Sequence, residues 1–118
     1  MRLRQVIKSK IQKATITKTE LDYNGSIGID KSLLLKSNIA SGERVQVLNF
    51  NNGNRFETYV IEEEKNSGII ALYGPAAKLG NINDKICIIS YLLVTDDEIA
   101  KLEAKIVFVD KNNRPKKQ

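Results

Sequence analysis

Residues 23–30 read YNGSIGID, and at their centre a hydroxyl, Ser26, directly follows Gly25 between two stretches that both look like β-structure. Taken alone, a Gly-Ser pair is a turn: glycine supplies backbone freedom and serine closes the bend through its oxygen. What the rest of the chain lacks gives the pair more weight. There is no histidine anywhere. That removes the commonest general base, the usual zinc ligand and any Ser-His or Cys-His couple. The one cysteine, Cys87 in KICIIS, allows no intrachain disulfide and no metal site built on thiolates. Whatever chemistry occurs here must use other groups, and no metal is expected.

The chain has 118 residues, of which 42% are apolar and 28% charged, an ordinary composition for one domain with a real core. The formal charge of +5 raises the question of nucleic acid. Five basic residues fall in 1–13 and four in 111–118, both free of acids, so residues 14–110 carry a net −4. Charge gathered at the ends reads as solvated termini. The longest apolar run, from Ile86 to Val94, is broken by Ser90 and is too short to span a bilayer. The lysines at 8, 10 and 13 interrupt any signal-like segment, so a cytoplasmic location is expected.

The elements that would position reactive groups are short strands. Rough alternation of Ile7, Ile11 and Ile16 among Lys, Gln and Thr predicts a half-exposed strand over 7–17. Asp30 caps a short helix bearing Leu33, Leu34 and Leu35, and Ser41-Gly42 closes it. Residues 44–50 alternate cleanly, Asn52-Gly53 predicts a hairpin with a type I′ turn, and residues 55–61 return as the partner strand. A second turn at 66–68 leads to a strand over 69–73, ended by Gly74-Pro75, and residues 76–80 suit one helical turn. Residues 85–94 form the most apolar strand, expected to be central. Thr95 opens a short acidic helix, 105–109 are a last strand, and 111–118 read as a basic flexible tail. The pattern predicts a single mainly-β domain over 1–110, a small closed or nearly closed β-barrel with short helices.

Several pieces then fall into one order: a lysine within SKIQKATIT, then LDYNGSIGID, NNGNRFETYVI, YGPAAKLG and NDKICIISY. This set resembles the pyruvoyl-dependent aspartate 1-decarboxylases, bacterial enzymes that make β-alanine for pantothenate and coenzyme A. The resemblance covers nearly the whole chain, from Ile7 to Val109, without a large gap. It implies a double-psi β-barrel, a homotetramer, and self-cleavage between Gly25 and Ser26 that leaves a covalent pyruvoyl group at position 26. It also implies L-aspartate as substrate, with no nucleic-acid or membrane partner, and it leaves open whether an activator assists maturation. Residue by residue, Arg55 falls on the substrate-carboxylate arginine, Thr58 on the processing threonine, Tyr59 on the proton-donating tyrosine and Lys10 on the lysine near the cofactor, with Thr58 and Lys10 also expected to bind substrate. Gly74, Pro75 and Ala76 fall on the substrate-contacting segment.

These residue types suit those roles. Loss of CO₂ from an α-amino acid leaves a carbanion that needs an electron sink, and a ketone conjugated to an amide supplies one. Ser26 can generate that ketone by attacking the Gly25 carbonyl and then losing its own substituents. Gly25 has no Cβ to shield the carbonyl. The Thr58 hydroxyl is the candidate donor to the oxyanion, although strand alternation sets Thr58 on the face opposite Arg55, Glu57 and Tyr59. A guidanidium such as that of Arg55 suits bidentate capture of a carboxylate. Thr58, Arg55 and Lys10 also have plain readings, as a strand threonine, a surface arginine and a solvated lysine. Tyr23 either lines the pocket or packs.

The chain departs from the family at three places: Gln12 stands for a frequent His, Tyr73 for a usual Asn, and Pro75 for an Ala, removing a backbone N–H. The alternative reading is therefore an unprocessed degenerate relative with a regulatory or scaffold role. A small basic nucleic-acid-binding barrel is the lesser alternative, since seven dispersed aromatics offer no stacking platform.

Overall fold

The computed structural model describes residues 1–117, and its eight strands form one sheet in the order β2-β6-β3-β5-β4-β7-β1-β8. In chain order these are β1 (Arg4–Thr15), β2 (Lys18–Glu20), β3 (Ser26–Asp30), β4 (Arg44–Asn49), β5 (Arg55–Glu63), β6 (Ile70–Tyr73), β7 (Lys85–Val94) and β8 (Lys105–Phe108). Two short helices, α1 (Lys31–Ser37) and α2 (Asp96–Ile99), and a 3₁₀ helix at Gly74–Lys78 complete the described elements. The parallel pairs are β1 with β8, β2 with β6, and β3 with β5; the other neighbours run antiparallel.

The two ends of this sheet are joined by one corner of chain. The Ile16 N–H and C=O continue the β1–β7 pairing, bonding to Asp84 O at 3.0 Å and Asn83 N at 2.8 Å. One residue later the Thr17 N–H bonds to Ile70 O at 2.8 Å and opens the β2–β6 pairing. A single length of chain therefore belongs to both ends of the sheet, which rolls it into the expected barrel. Ile11, Ile16, Ile27, Ile29, Ile70, Leu72, Ile86 and Ile88 fill the interior, all fully buried. Each such side chain contributes about 1.5–3 kcal/mol of burial. β7 lies between β4 and β1, the central place its apolar sequence predicts.

Caps and turns follow the local chemistry. Asp30 caps α1, and Asn38 ends it in the left-handed region at φ 57°. Thr95 and Glu98 form a reciprocal capping box on α2. The β4–β5 hairpin is present but differs from a type I′ turn: of its loop residues only Gly53 has positive φ, at 75°. The asparagines explain this. Asn49 Oδ1 takes the Asn51 N–H and Asn52 Oδ1 takes the Asn54 N–H, each at 2.8 Å, so side chains close a longer loop.

Residues beyond the expected boundary at 110 bond back to the barrel; Gln118 lies outside the described residues. Asn113 is buried, its Oδ1 taking the Thr15 N–H at 2.7 Å and its Nδ2 giving to Thr15 O and Gly68 O, both at 2.8 Å. Val109 bridges Pro115, and the Lys116 N–H bonds to Phe108 O at 2.8 Å. An asparagine side chain here supplies partners that the backbone at the barrel corner otherwise lacks.

Candidate active site

The Gly25–Ser26 peptide is the point at which loop becomes strand, since β3 begins at Ser26. Within β3, Ile27 and Ile29 point into the core, so Ser26, Gly28 and Asp30 face the other way. Ser26 is nonetheless buried, and its hydroxyl donates to Asn24 O at 2.9 Å, folded back along the chain towards the peptide it would attack. Opposite it stands Gly74, at φ 66°. A Cβ on Gly74 would lie 2.6 Å from Tyr23 O and 2.7 and 2.8 Å from Gly25 N and Cα. Only glycine allows that backbone to approach the junction so closely.

Thr58 is buried on the inner face of β5, while Arg55, Glu57 and Tyr59 are exposed, as alternation predicts. The nonlocal register resolves the apparent conflict. β3 and β5 pair in parallel with Ile27 beside Val60, so the same register continued by two residues sets Gly25 beside Thr58. Gly25, Thr58, Tyr59, Pro75 and Ala76 line one hollow of about 290 Å³. The Thr58 hydroxyl has no hydrogen bond among the described residues, and Thr58 lines that space. Tyr59 is 58% exposed at its rim. Gly74 and Ala76 are buried within the 3₁₀ helix, whose second residue is Pro75.

Lys10 and Arg55 lie elsewhere on the single chain. Both line a second hollow of about 340 Å³, with Gln12, Asn54 and Cys87. Arg55 donates to Gln46 Oε1 at 3.1 Å. The residue that stands for the family's imidazole, Gln12, accepts from the Cys87 thiol at 3.1 Å. Burial pushes that thiol up from its ordinary pKa, and the nearby Lys10 charge only partly offsets this. The two hollows share no lining residue.

Tyr73, the most conspicuous departure, is buried and is the register partner of Ser26 across β3 and β6. Its phenol donates to Glu63 Oε2 at 2.6 Å, and its ring packs against that of Tyr23 with centroids 4.9 Å apart. Tyr23 therefore packs. Burial and the Glu63 carboxylate push the Tyr73 phenol up to about 12, so it remains a donor at neutral pH. Sequence reasoning did not reach Glu63 or Gly28, whose Cβ-less face seats the pair. The lone glycine inside a strand was the available signal, because such a glycine often marks a close approach.

A family model described as aspartate decarboxylase matches residues 1–116. An aspartate 1-decarboxylase of Thermoanaerobacter pseudethanolicus is 49% identical over 112 residues, covering 95% of this chain and 96% of the relative. One from Clostridium botulinum (strain Loch Maree) is 51% identical over 112 residues, covering 95% and 88%. Another, from Cytophaga hutchinsonii, is 47% identical over 110 residues, covering 93% and 96%.

Proposed function

This chain belongs to the aspartate decarboxylase family, and from that premise we propose that it cuts itself between Gly25 and Ser26 and then converts L-aspartate to β-alanine and CO₂. The observation that carries the reading is the meeting of Gly25 and Thr58 in one hollow, beside a buried serine, in a chain without histidine. In the first step Ser26 Oγ attacks the Gly25 carbonyl while the Thr58 hydroxyl donates to the oxyanion. The C–N bond breaks, leaving an ester and a free Ser26 amine. Loss of the Ser26 α-proton then expels the Gly25 carboxylate and leaves dehydroalanine. Water replaces the nitrogen, ammonia departs, and a pyruvoyl group ends the fragment 26–118.

The surrounding residues fit that group: Ser26 is buried at the strand start, and a Cβ on Gly74 would close the space beside it. When formed, the pyruvoyl group supplies the electron sink for loss of CO₂. Arg55 holds the substrate side-chain carboxylate through its planar guanidinium and leaves the α-carboxylate free to depart. Tyr59 delivers the proton that replaces CO₂, and Lys10 provides positive charge beside the cofactor. Gly74, Pro75 and Ala76 form the wall against the substrate.

The working form in this reading is a cytoplasmic homotetramer, and its product feeds pantothenate and coenzyme A synthesis. Assembly would let the Lys10–Arg55 hollow of one copy meet the Gly25–Thr58 hollow of another. Phe50 at the former hollow and Tyr59 at the latter are each more than half exposed on the single chain, apolar surface that such an assembly would cover. Intact-mass analysis of the purified protein tests the proposal: two fragments, 1–25 and 26–118, are expected, the larger resistant to Edman sequencing. A chain that stays whole on prolonged warming, with and without extract of the producing cells, overturns it in favour of an unprocessed relative.

A further inference from the structure

β3 is buried along its whole length and yet carries a glycine at its centre, where any side chain would add packing. The surroundings of Gly28 give the reason. A Cβ there would lie 2.0 Å from Glu63 Oε2, 2.8 Å from Glu63 Cδ and 2.9 Å from Tyr73 Cε2. The missing methyl is the seat of the Glu63–Tyr73 hydrogen bond. That bond is a phenol donating to a carboxylate, one of the stronger kinds available to neutral donors.

The bond fixes a residue that meets the chain on both sides of the Gly25–Ser26 junction. Ahead of the junction, the Tyr73 ring packs on Tyr23; beyond it, the Tyr73 backbone pairs with Ser26. The next residue, Gly74, abuts Gly25. Lys18 adds its ammonium 5.5 Å from the ring centroid. Besides the Ser26 hydroxyl on Asn24 O, the loop before Gly25 has few ties: Leu21 and Tyr23 are both more than half exposed, and the Tyr23 N–H bonds to Leu21 O, at 3.0 Å.

We infer that the hydrogen bond from Tyr73 to Glu63, seated in the space left by Gly28, is a clamp that positions the Gly25–Ser26 peptide for its own cleavage. The inference rests on the self-cleavage reading above. Tyr73 and Glu63 are positioning residues: they act through Tyr23 and the backbone, and no step of the chemistry runs through them. The Asn usual at the position of Tyr73 has no ring to pack on Tyr23 and a shorter reach towards Glu63, so the clamp belongs to this chain's tyrosine.

The test follows cleavage of fresh precursor by intact mass in the unaltered chain and in Tyr73→Phe, Gly28→Ala, their double variant and Glu63→Gln. Since small misplacements of reacting groups carry large rate penalties, Tyr73→Phe and Gly28→Ala should each slow cleavage at least about tenfold. The double variant should be no slower than the slower single one, because both break the same contact. Glu63→Gln keeps a carbonyl acceptor and should recover most of the rate. Gly28→Ala pushes the Glu63 carboxylate away and crowds the edge of the Tyr73 ring, so it breaks the bond by a second route should Tyr73→Phe fail to fold. Cleavage is followed well below each variant's thermal midpoint, read in a Ser26→Ala background where no chain is cut, so that lost stability does not enter the rate. Variants that cleave as fast as an unaltered chain, or slowdowns that multiply in the double variant, overturn the inference alone. An unaltered chain that never cleaves overturns the self-cleavage reading as well.

Discussion

At the C-terminal end of β3 the Asp30 carboxylate takes four hydrogen bonds, from the Ser32 N–H and hydroxyl, the Asn66 N–H and the Gly68 N–H, at 2.8–2.9 Å. At the N-terminal end the Ser26 hydroxyl makes one, to the Asn24 carbonyl two residues back. Both side chains are buried and face the same way from one five-residue strand. At Asp30 every lone pair directed at the protein is met, and the carboxylate ties α1 to the β5–β6 turn. At Ser26 the hydroxyl keeps its nucleophilic lone pairs, and the crowding comes from backbone. A saturated polar group is inert and stabilising; an undersatisfied one, held by its surroundings, is available for reaction. The strand thus anchors at one end what it exposes to chemistry at the other.

The largest way to break this contrast is Ser26→Ala, which should abolish cleavage outright and leave one species of full-chain mass, while the fold survives the loss of a single local hydrogen bond. Next is Thr58→Ala: removing an oxyanion donor costs about 3–4 kcal/mol in the barrier, so cleavage should slow by roughly a hundredfold or more with little change in unfolding midpoint. Asp30→Asn should give the opposite signature. Its amide presents a donor where Gly68 or Ser32 also donates, so denaturant unfolding should show a loss of about 2–4 kcal/mol. Cleavage measured well below the unfolding midpoint should change far less than in Thr58→Ala.

The smallest effect is in pH, and it separates the ends by sign. Burial alone would raise the Asp30 carboxyl, but bonds from Gly68, Ser32 and Asn66 outweigh it and hold the group below the ordinary 3.8. Its contribution is therefore complete above that value and is lost as the pH falls further. Tyr73, raised from 10.0 to about 12, contributes fully below pH 10 and loses its share as the pH climbs towards 12. Asp30→Asn should flatten the acid limb of the unfolding midpoint, and Tyr73→Phe the alkaline limb. Exchange of those effects between the variants would break the comparison.

Much of the frame was legible because it is local. Alternation through Arg55, Glu57 and Tyr59 set Thr58 on the opposite face, and the structure has it there. Asp30 announced α1, and Thr95 with Glu98 announced α2. What escaped was nonlocal. No pattern within either strand says that β3 lies parallel to β5 in the register that brings Gly25 to Thr58. Tyr73 read as a loss of hydrogen bonding, because its partner Glu63 is ten residues away on another strand and its seat is an absence at Gly28. Asn113 read as tail for the same reason, since the groups it satisfies belong to Thr15 and Gly68.

The corner at Ile16 and Thr17 has a consequence for the proposed cut between Gly25 and Ser26. The short fragment is no dangling leader: it carries β1, paired to both β7 and β8, and β2, paired to β6. Scission there would therefore release nothing, and two polypeptides would share one interior. A precursor folds as a unimolecular event, whereas a matured molecule that is once unravelled must find its other piece by diffusion. Its thermal midpoint should rise with concentration, and dilution should trap it unfolded, so the cut records that folding has already happened.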